Sequence, residues 1–492
     1  MNNLQKILND IKKRNNLKFR VGLGGLILGS GSGIENAARF LRNMVLTRLL
    51  APEAFGIMAI VMAVNAMYEA FTEVGIKESV IQNPRGSENT FLNGAWWFSL
   101  IRSGSLYLIA FFIAPFIAHF YKNGNLTLLI RFAFINMLFN GALSAGTYLS
   151  LKKLNYKKWT IISSGGNICG IIVAIVLAFL LRNVWALAIG FCAESLFRMV
   201  LSYILCPFLP RLVFHKQDLQ DLFKFAKGMF GLPLLTFISM RADTFTLGKL
   251  YSTSELGLYN MASTLAQMPS LMFSNLLGQI LLPAFSTMQN DTKRLSDTYM
   301  KTTSMILFLS LPLILFCFFF SKPLLTLVYG FRYAEYSLPF AFIFLAFSIR
   351  TCQNPLITVS FAKGLPGLNR FAALIRAFLA VVCIYPVSKY FGFLGASVLI
   401  LAFWTIPFFI QLYQMRSKVI IDSSKLFNIG KISIFMIISF IIVYLILHKL
   451  FVMENLFIQL GLGIFCCIFS YGIFLAANFS YVKGNFYRFF PR

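Results

Sequence analysis

The chain has 492 residues, of which 58% are hydrophobic and only 12% are charged. Soluble domains carry about 25% charged residues, so this balance excludes an ordinary soluble enzyme and marks an integral membrane protein. The formal charge of +27 would point to nucleic acid in a soluble chain, but in a membrane chain its meaning depends on where the charges lie.

The first twenty residues, MNNLQKILNDIKKRNNLKFR, lack an apolar core ending in a small-residue cleavage site, so no cleavable signal peptide is expected. Leu4, Ile7, Leu8 and Ile11 form a stripe beside Lys6, Lys12, Lys13 and Arg14. That pattern predicts an amphipathic helix lying on the cytoplasmic leaflet over 1–20.

A membrane span needs about 20 mostly apolar residues. That length predicts spans at 21–47, 56–76, 95–118, 126–150, 160–181, 185–208, 230–249, 257–284, 303–328, 336–361, 371–390, 393–415, 429–450 and 456–478. The fold class expected is therefore all-α and polytopic, with about 14 transmembrane helices. The closest pairs of spans meet near 183 and 391. The eight cysteines all fall in apolar spans without metal-ligand spacing and are expected as inert buried thiols.

Basic residues orient the spans. The N-terminal side holds Lys77 and Arg85; Lys152, Lys153, Lys157 and Lys158; Arg211, Lys216, Lys224 and Lys227. It also holds Lys293, Arg294 and Lys301; Lys363, Arg370 and Arg376; Arg416, Lys418, Lys425 and Lys431; and the basic residues of both tails. The opposite side holds only Arg48, Lys122, Arg182, Lys249, Lys322, Arg332, Lys389 and Lys449. Such an excess in short loops places both termini in the cytoplasm and supports an even number of spans. Much of the positive charge is then topology, and no nucleic-acid partner is expected. The short connections leave no room for a soluble catalytic domain, so the chain is not expected to be an enzyme.

Two stretches read alike. TRLLAPEAFGIMAIVMAV (47–64) aligns with GKLYSTSELGLYNMASTL (248–265), placing Arg48 on Lys249, Leu49 on Leu250 and Gly56 on Gly257. Each joins the first and second helix of a six-helix set. The expected division is an N-lobe at 21–210 and a C-lobe at 211–415, with 416–492 holding two further helices and a cytoplasmic tail. Repeats of this kind form a site between lobes that rock about it.

Together with RLLAPEAFGIMAI, the stretches FTEVGIKESVIQ, VWALAIG, RADTFTLGKLYSTSELGLYNMA and LLPAFSTMQNDTKRL resemble the polysaccharide transporter family. These are the Wzx-type oligosaccharide flippases, here of the colanic-acid exporter type, within the superfamily that also holds multidrug exporters and the lipid II flippase. The resemblance runs along nearly the whole chain. It implies two six-helix lobes related by pseudo-twofold symmetry. It also implies alternating-access transport of undecaprenyl-pyrophosphate-linked oligosaccharide across the bacterial cytoplasmic membrane, for surface polysaccharide biosynthesis. The partners implied are membrane lipid and polysaccharide polymerase or ligase machinery.

A charge at the bilayer centre costs at least ~2.5 kcal/mol, so charged residues inside spans should face partners or a watery cavity. Glu35, Arg39 and Arg42 share one face of the first span, beside Gly25, Gly29 and Gly33 at the spacing of close helix packing. Asn65, Glu69 and Glu73 form a stripe on the second. Arg102, Arg131, Glu194, Arg198, Arg241, Asp243 and Arg350 follow, and none of these basic residues is Lys. Arginine stays ionised when partly buried and grips phosphate oxygens as a fork. Arg39, Arg42, Arg241 and Arg350, with Arg198 and Arg102, are therefore the candidates for a cationic substrate cavity. Arg102 and Arg131 lie off-centre, where snorkelling to an interface is an equal alternative. Glu35 with Arg39 and Glu194 with Arg198 can instead neutralise each other as i, i+4 pairs. Glu35, Glu69, Glu73, Asp243 and Glu194 are the candidates for coupling to a proton or sodium gradient. No metal or cofactor is expected.

Rival readings are a lipid II-type flippase, a drug or cation exporter of the same superfamily, and a membrane glycosyltransferase or polymerase. The last should carry a sizeable external loop, and an exporter of cations a more acidic cavity.

Overall fold

A computed structural model describes residues 27–72, 75–153, 155–211, 231–416, 423–450 and 456–477, with Gln217, Asp218, Gln220 and Leu222 between them. The predicted interfacial helix at 1–20 and the end of the tail lie outside these residues, as does Glu73. The described residues are helical throughout, with no strand among them.

The chain divides into two compact units, Met1–Gly257 and Leu258–Arg492. In the first, α1 covers 27–49, α2 Pro52–Thr72, α3 Ile76–Gln82 and α4 Asn89–Phe120. Next come α5 Asn125–Ala133, α6 Ile135–Gly141 and α7 Gly146–Lys152. The unit continues with α8 Tyr156–Leu181, α9 Val184–Leu205 and α10 Leu232–Leu250. Helix α11, Thr253–Ser286, leads into the second unit. There α12 is Thr292–Phe319, α13 Ser321–Tyr329 and α14 Ser337–Ala362. Helices α15 Pro366–Arg416, α16 Ser423–Leu450 and α17 Leu456–Ala477 complete it.

The two closest junctions between predicted spans are both real, and each has a local cause. At the first, Arg182 adopts a left-handed φ of 50° and ends α8. Asn183 then caps α9 by accepting from the Trp185 N–H at 3.0 Å. At the second, Gly392 with φ 62° and ψ −150° breaks α15 in two, a backbone geometry that only glycine adopts without strain.

The predicted single span at 126–150 is not one helix. It divides into α5, α6 and α7, and the segment up to Gly141 is bent by 56° from α7. The residues at the break, Leu143-Ser144-Ala145, satisfy backbone groups through hydroxyls: Ser144 N–H donates to Ser202 Oγ at 3.0 Å. Apolar content alone concealed this break. Seven helices among the described residues are long and apolar enough to cross a membrane, or eight if the bent pair is one span. One of the seven is the 51-residue α15, which holds two helices. The count of fourteen is thus approximate, whereas the class, a multi-pass all-α membrane protein, stands.

With no hydrophobic drive inside lipid, helices associate through close van der Waals packing at small residues. The α8–α9 hairpin shows this. A Cβ at Gly170 would lie 2.6 Å from Glu194 Cβ, and one at Gly166 would lie 2.9 Å from Arg198 Cβ. Helix α1 packs on α8 at Gly31, where a Cβ would meet Thr160 Cγ2 at 2.2 Å. At Gly33, which the four-residue spacing had selected, a Cβ would meet nothing within 4 Å. Gly29, of the same predicted stripe, is buried, and Gly31 beside it makes the close contact with α8. Outward faces are apolar, as Phe112, Phe116 and Leu180 show at 68%, 75% and 73% exposure. In the second unit α16 and α17 pack on α12 through Leu311, Leu315, Phe440, Val443 and Cys466.

Candidate functional site

The opening motif of α1 meets the α8–α9 hairpin in the first unit. Glu194, on α9, is buried and accepts from Arg39 Nη2 at 2.8 Å and from Arg198 Nη2 at 2.7 Å. With the Asn167 amide turned so that its oxygen faces α1, that oxygen accepts from Arg39 Nη2 at 2.6 Å and Nε at 2.9 Å. Glu35 accepts from Ser164 Oγ at 2.8 Å. Arg42 donates to the Asn43 side-chain oxygen from Nε at 3.2 Å and from Nη2 at 3.0 Å, and it also contributes to the field at Glu194.

Two of these contacts settle alternatives left open by spacing. Glu194 does form the i, i+4 pair with Arg198, but Arg39 joins it from 155 residues away. Glu35, which shares a face with Arg39, instead bonds to Ser164. The result is a cluster of three arginines and two carboxylates, with a positive surplus. Arg39 and Arg198 keep 34% and 23% side-chain exposure. The Nε of Arg198 has no hydrogen-bond partner among the described residues. Buried charge without full pairing is costly unless a ligand completes it.

The small residues of the hairpin make this geometry possible. Gly166 and Gly170 let α9 approach until Glu194 and Arg198 lie directly against α8, which places Asn167 within reach of α1. Sequence spacing gave Glu194 and Arg198, but it offered no signal for Asn167 and Ser164.

Arg102 is half-buried at one end of the first unit. It lines a cavity of about 360 Å³ with Glu69, Lys77, Glu78, Ser99, Ser103, Asn140 and Tyr148. Glu69 is exposed, so two candidates from separate lists, one cationic and one acidic, meet in this cavity. Arg131 is held structurally: its Nε donates to the Phe111 carbonyl at 3.2 Å, and its guanidinium lies 4.1 Å from the Phe111 ring centroid.

On α10, Asp243 is buried and accepts from its neighbour Thr244 N–H at 2.7 Å. Arg241 is half-buried, with no ion pair or hydrogen bond among the described residues. In the second unit, the Arg350 guanidinium sits 5.0 Å from the Trp404 ring centroid and 5.6 Å from that of Phe347. Arg376, placed by sequence in a cytoplasmic connection, lies inside α15 instead, 9% exposed and 4.7 Å from the same Trp404 ring. The sequence-based boundary of 371 put it near the start of a span, where an arginine reads as a loop charge. The helix begins earlier, at Pro366, and draws it inward.

Residues 45–338 match the family model described as polysaccharide biosynthesis protein. The chain belongs to this family. It is 23% identical over 299 residues to the succinoglycan biosynthesis transport protein ExoT of Rhizobium meliloti (strain 1021), a match covering 60% of each chain. It is 21% identical over 362 residues to the lipopolysaccharide biosynthesis protein WzxC of Escherichia coli (strain K12), covering 72% of each. The teichuronic acid biosynthesis protein TuaB of Bacillus subtilis (strain 168) is 22% identical over 340 residues, covering 65% of this chain and 70% of TuaB.

Among solved structures, the lipid II flippase MurJ in an inward closed conformation superposes with a TM-score of 0.76 at 14% identity, over 92% of this chain and 99% of MurJ. An inward-facing multidrug resistance MATE family transporter gives 0.59 at 12% identity, over 80% and 98%. At such identities the likeness establishes a shared fold. That fold is the polytopic all-α architecture expected from the spans.

Proposed function

We propose that this polysaccharide-biosynthesis family member is a flippase that carries lipid-linked oligosaccharide across the bacterial cytoplasmic membrane, with both termini in the cytoplasm. The carrier lipid proposed is undecaprenyl pyrophosphate, and the products are surface polysaccharides. The observation that carries this reading is the Arg39–Glu194–Arg198 cluster with Arg42 beside it. It is a set of planar cationic forks inside the membrane-spanning region, with more positive than negative charge.

Pyrophosphate oxygens fit such forks in a bidentate manner. In the empty protein Glu194 acts as the counter-ion that keeps Arg39 and Arg198 folded inward. An arriving pyrophosphate takes over one edge of each guanidinium, while the glycan stays in water and the polyprenyl chain in lipid. Binding energy spent at one orientation of the lobes (21–210 and 211–415) and released at the other moves the headgroup across. Arg241 and Arg102 are proposed as further cationic contacts along that path. Glu35, Glu69, Glu73 and Asp243 are the carboxylates proposed for coupling to a proton or sodium gradient. Polymerase and ligase machinery on the outer face would take the product. The chain itself forms and breaks no covalent bond in this reading.

The test is flipping of a fluorescent undecaprenyl-pyrophosphate oligosaccharide in proteoliposomes. Wild type should translocate it, and Arg39→Gln should lower the rate at least about tenfold, the loss of one charge-assisted contact, with insertion unchanged. Transport of lipid II in place of the oligosaccharide carrier would reassign the cargo. Absence of transport with either cargo, with and without imposed ion gradients, would overturn the reading.

A further inference from the structure

The first unit holds a second polar site, distinct from the arginine cluster, at the break in the predicted span 126–150. We propose that the cavity there is a subsite for one neutral sugar ring, held by Ser99, Ser103, Asn140 and Tyr148. The inference rests on the flippase reading above for the source of the sugar, and deepens it by naming what the cavity recognises.

A break in a membrane helix is tolerated where protein buries it or where it borders a polar cavity, and both hold here. Helix α9 anchors the break: besides the Ser144–Ser202 contact, the Tyr203 hydroxyl donates to the Ala142 carbonyl at 3.0 Å and accepts from Trp96 Nε1 at 3.1 Å. On a straight helix Asn140 and Tyr148 would stand about 12 Å apart along the axis. With the bend of 56°, Asn140 at the end of α6 and Tyr148 on α7 line one cavity with Ser99 and Ser103 of α4. Gly141 lets α6 close on α4, since a Cβ there would lie 2.5 Å from Ser103 Cβ and 3.0 Å from the Ser99 carbonyl oxygen.

None of these four side chains has a hydrogen-bond partner among the described residues, although Ser99, Ser103 and Tyr148 are buried. Helical serines ordinarily return the hydroxyl to the carbonyl one turn back, as Ser239 and Ser348 do here; Ser99 and Ser103 do not. Buried polar groups are normally paired, so four unspent ones on one cavity await what enters it. Charge then selects the ligand. The lining includes two cations, Lys77 and Arg102, and two carboxylates, Glu69 and Glu78. The cavity therefore has no net charge and, unlike the arginine cluster, no preference for an anion. Its volume of about 360 Å³ lies at the lower end of the range for small-molecule sites, which suits a single ring better than a glycan chain. Leu106 and Met137 supply apolar surface for the ring C–H groups. Neutral donors and acceptors, balanced charge and apolar patches complement an unmodified pyranose.

The experiment titrates the full-length chain in lipid nanodiscs with glucose, galactose, mannose and N-acetylglucosamine, and reads binding by saturation-transfer NMR. At least one neutral sugar should bind saturably, and inorganic pyrophosphate should not displace it. Ser99→Ala and Tyr148→Phe remove groups that have no partner inside the protein. Thermal stability should therefore hold, while each variant weakens the sugar about two- to tenfold, the loss of one neutral hydrogen bond. Affinity unchanged in both variants, displacement by pyrophosphate, or no saturable binding of any of the four sugars would each overturn the subsite. Two sources share this chemistry, a sugar of the lipid-linked cargo and a free cytosolic sugar. If the cargo is the source, the free sugar competes with it in proteoliposomes, and Tyr148→Phe raises the cargo concentration for half-maximal flipping with the maximal rate unchanged. A change in maximal rate without competition assigns the cavity to a free sugar. Flipping without sugar binding removes only the subsite, whereas sugar binding without flipping of any cargo removes the flippase and leaves the cavity to a free sugar.

Discussion

At the level of single residues, the chain places charge in a membrane and then differs in how it neutralises it. Glu194 serves two arginines at 2.7 and 2.8 Å. Glu194→Ala would leave Arg39 and Arg198 without their carboxylate. Both are a quarter to a third exposed, so solvent recovers part of the loss, and a destabilisation of about 1–3 kcal/mol is expected. Thermal unfolding in detergent measures it, and added pyrophosphate should restore part of the lost stability if the forks bind phosphate. Equal loss in the presence and absence of pyrophosphate would argue for a purely structural role. The Arg131 guanidinium, held by a backbone carbonyl and a ring, provides the contrast. Arg131→Lys should lower stability modestly, with no effect on flipping once expression is matched.

At the level of helices, glycines decide how closely elements approach. Gly170→Ala would drive a methyl to 2.6 Å from Glu194 Cβ and 2.8 Å from its Cα. Neither atom can swing aside, so α9 must move, at about 1–3 kcal/mol, and Glu194 moves with it. Flipping should fall with stability. Gly104 on α4, where a Cβ meets nothing within 4 Å, supplies the control: Gly104→Ala should leave flipping unchanged and gain about 0.5–1 kcal/mol of helix stability. A fall in stability at Gly104 would mean that the packing of this face differs from that described. Spans at 160–181 and 185–208 were legible from apolar length, because the thickness of the bilayer fixes how long a span must be. The break within 126–150 was not, because hydroxyls and bent backbone there satisfy each other across α7 and α9 without lowering apolar content.

At the level of the whole molecule, the internal repeat is physical as well as textual. Gly56 and Gly257, aligned in sequence, meet within the first unit. A Cβ on Gly56 would lie 1.7 Å from the Thr253 carbonyl oxygen, and one on Gly257 would lie 1.9 Å from that of Pro52. Pro52 and Thr253 are themselves aligned by the same offset, so the contact is reciprocal, the signature of an isologous interface. Gly56→Ala and Gly257→Ala should therefore lower thermal stability by similar amounts. The double variant should cost less than their sum, because either methyl alone already separates the two backbones. Unequal or additive effects would mean that the contact is not shared.

The sequence by itself determined the class, an approximate set of spans and the family resemblance carried by the loop motifs, and it predicts their orientation, from the basic loops, and the repeat. These follow from local quantities: apolar run length, charge per loop and the order of short motifs. It also located most of the membrane charges, since each interrupts an apolar run. Only the tertiary structure decided how they pair. Arg39 chose Glu194 rather than Glu35 four residues away, Ser164 and Asn167 entered the cluster, and Arg376 left its expected loop for the Trp404 ring. An i, i+4 spacing makes a pair available, but inside a membrane the pairing that forms is the one that satisfies the most buried donors at once. That depends on which helices the glycines allow to meet.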